Sequence, residues 1–173
     1  MKKLLLTVCF SIFFLNNTGV ADTKIAFIDI DKIMSTSKSG SSILKQLREL
    51  NDKNIKYLQK EQKIIKDKEN KIISQKNILS NEEYASSVGK IRQEIDNYNK
   101  NKTKIISDFN KLKSTNTNKL LSLITPILTK YSEEKSLSVI FRKKDILIGK
   151  IELDISDEII IIIDNEIKEF KIK

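Results

Sequence analysis

From Ile43 to Leu112, apolar residues return at steps of three, four and seven, the spacing of helices that bury one stripe. Two neighbouring seven-residue tracks run through the first half. One holds Ile43, Leu50, Tyr57, Ile64 and Ile78, interrupted by Lys71; the other holds Leu44, Leu58, Ile65, Ile72 and Leu79, interrupted by Asn51. The second half gives Tyr84, Val88, Ile91, Ile95, Tyr98, Ile105, Phe109 and Leu112, with a hole at Lys102 and a fade through Asn116 and Lys119. Between the halves, Ser80-Asn81-Glu82-Glu83 has the form of a capping box, with Ser80 as N-cap and Glu83 at the third helical position. The pattern predicts one helix from about Ser39 to Ile78 and another from Asn81 to about Lys135. A tight corner joins them, so they lie antiparallel and zip their stripes together. At 1.5 Å per residue they reach roughly 60 and 80 Å. Pro126 removes one backbone bond from the second helix and predicts a bend near its base.

The flanks change period. Lys24 to Ile30, KIAFIDI, is short, apolar and β-prone. Leu137 to Arg142, LSVIFR, alternates, with Leu137, Val139 and Phe141 on one side and directed to the interior of a compact body. Ile146 to Ile151 is a third strand candidate after a polar turn at Lys143 to Asp145. The stretch from Asp154 to Ile167 reads both ways. Ile159 to Ile163 is an unbroken isoleucine run of high strand propensity, yet Asp154 or Ser156 can cap a helix with Asp157 and Glu158 in its first turn. Three short strands and a terminal helix make a very small core, of the kind oligomerisation usually completes.

Composition then narrows the class. The 173 residues lack His and Trp, and Cys9 is the only cysteine. That excludes His acid/base chemistry, a Cys/His zinc site and an intramolecular disulfide. Four Gly and one Pro leave no Gly-rich phosphate loop. Carboxylates, Lys, Ser and Tyr are plentiful, but no constellation has catalytic spacing, so no enzyme, cofactor, metal or small-molecule substrate is expected. Asp29 and Asp31 share a face if both lie in a strand, where the pair can bind a cation or raise one pKa; the plainer reading has them lead from the strand into the first helix. Residues 1–21 form a separate unit: Lys2 and Lys3, an apolar run from Leu4 to Leu15, then Gly19, Val20 and Ala21. These are the three parts of a secretory signal peptide cleaved near Ala21. A cysteine-free exported chain suits the periplasm.

The net charge of +9 is unevenly spread. Residues 45–119 hold eighteen basic and ten acidic side chains, whereas 22–44 are neutral and 120–173 carry −1. Only Arg48, Arg92 and Arg142 are arginines. Arg is the residue that reads phosphates and bases bidentately, so a lysine excess fits soft, long-range attraction better than nucleic-acid readout. The lysines are spread evenly along this segment; Lys60, Lys63, Lys66 and Lys68 are the candidate charge contacts, and Tyr57, Ile78 and Leu79 the apolar candidates beside them.

An exported chain with KIAFIDIDKIM at Lys24 to Met34, a long basic helical hairpin, SLSVI at Ser136 to Ile140 and Asp154-Ile155-Ser156 before a terminal helix resembles the Skp/OmpH family of periplasmic chaperones. Its low Ala and Arg content and its isoleucine run depart from the familiar members. The resemblance implies an α+β fold in which a long antiparallel hairpin, residues 37–135, projects as a coiled-coil-like arm from a small oligomeric β body, residues 22–36 and 136–173. Ile25, Phe27, Leu137, Val139 and Phe141 would build that body. It implies a homotrimer that holds unfolded outer-membrane β-barrel proteins soluble without ATP. The arms' positive field also admits anionic lipid or lipopolysaccharide. The competing architecture is a coiled-coil structural or adaptor protein of the envelope.

Overall fold

The computed structural model describes residues 23–173; the expected signal peptide and its cleavage point lie outside the described residues. The elements in order are strand β1 (Ile25–Ile28), helices α1 (Ile30–Thr36), α2 (Lys38–Ser74) and α3 (Asn81–Lys135), strand β2 (Val139–Arg142) and helix α4 (Ser156–Glu166). Single 3-10 turns lie at Lys143–Asp145 and Ile151–Leu153. Among the described residues no helix is long and apolar enough to cross a membrane.

Helices α2 and α3 are the predicted antiparallel pair. The capping box forms as read: Ser80 Oγ accepts from Glu83 N at 3.3 Å, and Glu83 Oε2 accepts from Ser80 N at 3.1 Å. Helix α2 stops at Ser74, short of the expected Ile78. Ile78 N and Leu79 N both donate to Gln75 O, so the last apolar residues of both tracks serve the corner instead of the seam.

Helix α3 has 55 residues against 37 in α2. At 1.5 Å per residue its surplus is about 27 Å, enough to run past the base of α2 and bring the chain back to the start of β1. Strand β2 therefore pairs parallel to β1, in the register Ile25–Val139, Ala26–Ile140, Phe27–Phe141, Ile28–Arg142. Parallel strands need a long crossover, and here the whole hairpin serves as one. The turn into β2 uses Ser136 in the left-handed region, φ 54°, with Leu137 N donating to Ser132 O at 2.8 Å.

The entry to α2 is a break between two helices. Ser37 ends α1 and caps α2, its Oγ accepting from Gly40 N at 3.1 Å. The two backbones approach so closely that a Cβ on Gly40 would stand 2.5 Å from Met34 O. The core gathers where everything meets the lower part of α3. Ala26, Ile28, Ile33, Met34, Ile43 and Leu47 pack against Leu120, Ile124, Ile127 and Tyr131, and α4 adds Ile155, Ile159, Ile160 and Ile163.

Two readings of the flanks resolve here. The isoleucine run is helical. Ile159, Ile160 and Ile163 are buried on one face while Ile161 is exposed, so tertiary burial overrides strand propensity. Neither capping candidate is the N-cap: Ile155 holds that position without a side-chain cap bond, Ser156 is the first helical residue, and Asp154 Oδ1 accepts from Ser156 N at 3.0 Å. The third strand does not form. Residues 146–150 run between the two 3-10 turns and Ile151 opens the second, and β1 instead gains a single bridge from Phe27 to Asp154, with Ile155 N donating to Phe27 O. Gly149 passes against the ring of Phe27, so this segment serves as a cover over β1 rather than a ladder partner. Helix α3 runs through Pro126 without interruption.

Candidate functional site

Asp29 and Asp31 part company at the end of β1. Asp29 caps α1, its Oδ1 accepting from Lys32 N at 3.0 Å, while Asp31 is exposed in the first turn. Asp29 also enters a latch. Lys143 Nζ stands 3.3 Å from both Asp29 Oδ2 and Asp154 Oδ2. Asp29 N donates to Ser156 Oγ at 2.8 Å, and that hydroxyl donates in turn to Asp154 Oδ1. The Lys32 N–H above all, helped by the Lys143 ammonium, holds Asp29 below its ordinary pKa against the rise from burial. Burial pushes Asp154 up, but the hydroxyl and N–H of Ser156 together with Lys143 bring it below the ordinary value. Lys143 is raised by Asp154 and then Asp29. The cluster ties the end of β1 to the start of α4. Among the described residues no group of three or more Asp, Glu, His or Cys is placed to hold a metal ion.

The sheet has two faces. Ala26, Ile28 and Ile140 turn toward the helical core, and Leu137 also packs on it. The opposite side carries Ile25, Phe27, Val139 and Phe141. Phe27 is covered, whereas Ile25, Val139 and Phe141 stay 42%, 41% and 44% exposed. The side of β2 expected to point inward thus splits: Leu137 reaches the core, while Val139 and Phe141 face away from it. A cleft of about 270 Å³ lies over this face, lined by Ile25, Phe27, Phe141, Ile146, Ile148 and Leu153. Beyond it Leu147, Ile148 and Ile151 are almost bare. Contiguous apolar surface of this kind marks an interaction face.

The hairpin carries the charge. Lys60, Lys63, Lys66 and Lys68 are all exposed on α2. Lys68 reaches across to α3, where its Nζ stands 2.7 Å from Glu94 Oε2, so it serves partly as a strut. The other three make no ion pair within the described residues. Tyr57 is 45% exposed and its Oη accepts from Asn101 Nδ2 at 3.2 Å. Ile78 is 81% exposed at the corner and Leu79 is half-buried beside it. The exposed apolar set extends beyond these to Ile55, Ile64, Ile73 and Ile106. Doubled residues signal three of them: Ile64-Ile65, Ile72-Ile73 and Ile105-Ile106. A helix turns about 100° per residue, so when one member of a pair enters the seam its neighbour is left at the edge.

The comparisons with known proteins agree with this architecture. The family model "Outer membrane protein (OmpH-like)" matches residues 24–162. Among curated proteins no sequence matches this one. Among solved structures, an OmpH-like protein of Caulobacter crescentus, assigned as an outer membrane chaperone, is similar with a TM-score of 0.76. That likeness covers 93% of this chain and 95% of that one at 10% sequence identity, so it shows the shared fold. With a family model spanning β1 to α4 and a hairpin, parallel strand pair and terminal helix in the matching arrangement, the chain belongs to the OmpH-like outer membrane protein family.

Proposed function

We propose that this protein is a periplasmic holdase chaperone that binds unfolded outer-membrane β-barrel chains and keeps them soluble before insertion, without ATP. The observation that carries the reading is the arm itself. Its lysines Lys60, Lys63 and Lys66 are exposed and make no ion pair within the described residues, and Ile55, Ile64, Ile73, Ile78 and Ile106 are exposed along the same hairpin. Such a surface attracts an acidic unfolded chain at long range and offers weak, exchangeable apolar contacts on arrival. Small scattered contacts suit a holdase, which must release its client. The same field admits anionic lipid or lipopolysaccharide as a secondary partner.

In this reading residues 37–135 form the arm, and the open sheet face completes a homotrimeric body. A strand pair with Ile25, Val139 and Phe141 exposed on one side gains burial when further copies cover it. The decisive experiment dilutes a urea-unfolded outer-membrane β-barrel protein into buffer with the mature protein and no nucleotide. Suppressed aggregation at a fixed stoichiometry is expected, together with a light-scattering mass near three times that of the chain. Aggregation unaffected by the protein overturns the holdase reading and favours an envelope adaptor.

A further inference from the structure

Residues 167–173 follow α4 without forming a helix or strand. They run back over the base of the hairpin as an extended strap. Ile167, Phe170 and Ile172 pack against the core cluster from outside. The polar contacts that hold the strap share one feature. Gln46 on α2 donates from Nε2 to Phe170 O at 3.1 Å and accepts from Ile172 N at 3.2 Å through Oε1. Asn116 on α3, only 2% exposed, donates to Lys173 O at 3.4 Å. Every one of these partners on the strap is a main-chain atom. The Gln46 amide reproduces the paired N–H and C=O of a strand neighbour, which any extended peptide can satisfy. Side-chain identity enters through the apolar packing of Ile167, Phe170 and Ile172 and through Lys119, whose Nζ stands 4.3 Å from the centroid of the Phe170 ring.

The strap is also outside the segment, residues 24–162, over which the family model matches. Its contacts come from both helices at the root of the arm. Together these contacts hold a chain segment by its backbone and set a cation against an aromatic ring. A β-barrel strand alternates apolar and polar residues and often carries aromatics, and Phe170-Lys171-Ile172-Lys173 of the strap has the same alternation.

We propose that the groove between Gln46 on α2 and Asn116 and Lys119 on α3 docks one extended, aromatic-containing strand of an unfolded client, and that residues 167–173 are a self-supplied occupant that the client displaces. The proposal rests on the holdase reading for its client, not for its groove. Self-occupancy keeps the apolar groove covered when no client is present, and it lowers the apparent affinity by the fraction of time the groove is vacant. A groove vacant one tenth of the time gives about a tenfold weaker apparent Kd than a permanently vacant one.

The test uses the full chain and a variant carrying Phe170→Ser and Ile172→Ser, which frees the strap. The first probe is a fluorescein-labelled peptide of residues 165–173. It is expected to bind the double variant saturably and the unaltered protein hardly at all, and Gln46→Ala in the variant background should abolish the binding. The second probe is a urea-unfolded outer-membrane β-barrel chain, whose Kd should tighten by up to about tenfold in the double variant. No peptide binding by a double variant of normal helical signal overturns the groove. A client affinity that stays level or falls overturns the competition. Should the double variant lose its helical signal, hydrogen exchange on the unaltered protein decides. Saturation with client should speed exchange at the Ile172 N–H, and unchanged exchange overturns displacement. Client binding by no form of the protein fails the holdase reading, while the peptide result still decides the groove.

Discussion

Phe27 and Phe141 are register partners on one side of the parallel ladder, yet Phe27 is 6% exposed and Phe141 is 44% exposed. The segment between the two 3-10 turns lays Gly149 over Phe27, whereas Phe141 lines the open cleft beside it. The two rings therefore report on different events. Phe27→Ala is expected to cost the single chain about 3–5 kcal/mol, the usual loss for a buried Phe, and to lower the Tm of the whole molecule. Phe141→Asp leaves the chain's own core intact but places a charge where the proposed trimer excludes water, which costs several kcal/mol. Loss of oligomeric mass with the far-UV helical signal retained at low temperature is expected. A Phe141→Asp protein that keeps its full mass shows that this face is not the assembly surface.

The Gly40–Met34 approach gives a sharper structural test. A methyl group at Gly40 meets the Met34 carbonyl oxygen at 2.5 Å, and the neighbouring Met34 Cα and Ile33 O are also under 3.0 Å away. These are backbone atoms with no freedom to rotate aside, so α1 must move off α2. Ala is otherwise the better helix former, worth about 1 kcal/mol over Gly. Gly40→Ala is expected to destabilise by about 1–3 kcal/mol, the typical cost of forced overpacking. Gly89, where nothing lies within 4 Å of the added Cβ, is the control. Gly89→Ala should stabilise by about 0.5–1 kcal/mol. Chemical denaturation of both variants checks the pair, and equal midpoints would show that the α1–α2 corner is loose.

The Asp29–Lys143–Asp154 latch sets a pH dependence. Both carboxyl groups lie below the ordinary value of 3.8 in the folded chain. Their contribution is therefore fully present above the unfolded value and is lost as pH falls through their folded values. Lys143 lies above its ordinary 10.5, so its contribution is present below that value and is lost as pH rises through the folded one. Lys143→Met removes a cause that lowers both acids, and acid unfolding should begin at a less acidic pH. Asp154→Asn should flatten the acid limb, since one of the two titrating groups is gone. Circular dichroism across about pH 2–7 reads both. Superimposable acid limbs for the unaltered protein and Lys143→Met would remove the latch from the account.

Local signals were legible, and contacts between distant parts of the chain were not. Ser80 and Glu83 are three residues apart, so their reciprocal bonds could be read directly from the letters. The seam from Tyr84 to Leu112 repeats every three or four residues and is equally local. By contrast, Ser156 Oγ meets Asp29 N across 127 residues, and Lys38 N donates to Asp164 Oδ1 across 126. No spacing rule reaches so far. Residues 146–151 have a strand's composition, but the edge they would pair with is met by Asp154 instead. Asn116 looked like a fading seam. It is a buried side chain that donates to Leu112 O and to the strap, a role visible only once residues 167–173 lie across it. Val139 and Phe141 alternate as a buried strand face should, yet alternation separates two faces without saying which one the chain itself covers.

The last prediction concerns how the arms meet a client. The motive is the charge partition, an excess of eight positive charges on residues 45–119 against −1 on 120–173. Steering by such a field should fade with salt, because the Debye length falls from about 10 Å at 0.1 M to about 3 Å at 1 M. Apolar contacts do not weaken in that way. Capture of an acidic unfolded β-barrel chain should slow on the order of tenfold between about 0.05 and 0.5 M salt, while release changes little. Reversal of Lys60, Lys63 and Lys66 to Glu should imitate salt, since all three are exposed and make no ion pair within the described residues. Lys68 belongs in a separate variant. Its reversal would set a carboxylate against Glu94 and push the two helices apart, mixing loss of field with loss of a strut. Replacing Tyr57, Ile78 and Leu79 by Ser should instead speed release, because it removes apolar contact and leaves the field in place. Stopped-flow fluorescence of a dye-labelled client separates the two rates. A capture rate indifferent to both salt and the three reversals would mean that the arms act as apolar clamps and that their lysines serve solubility alone.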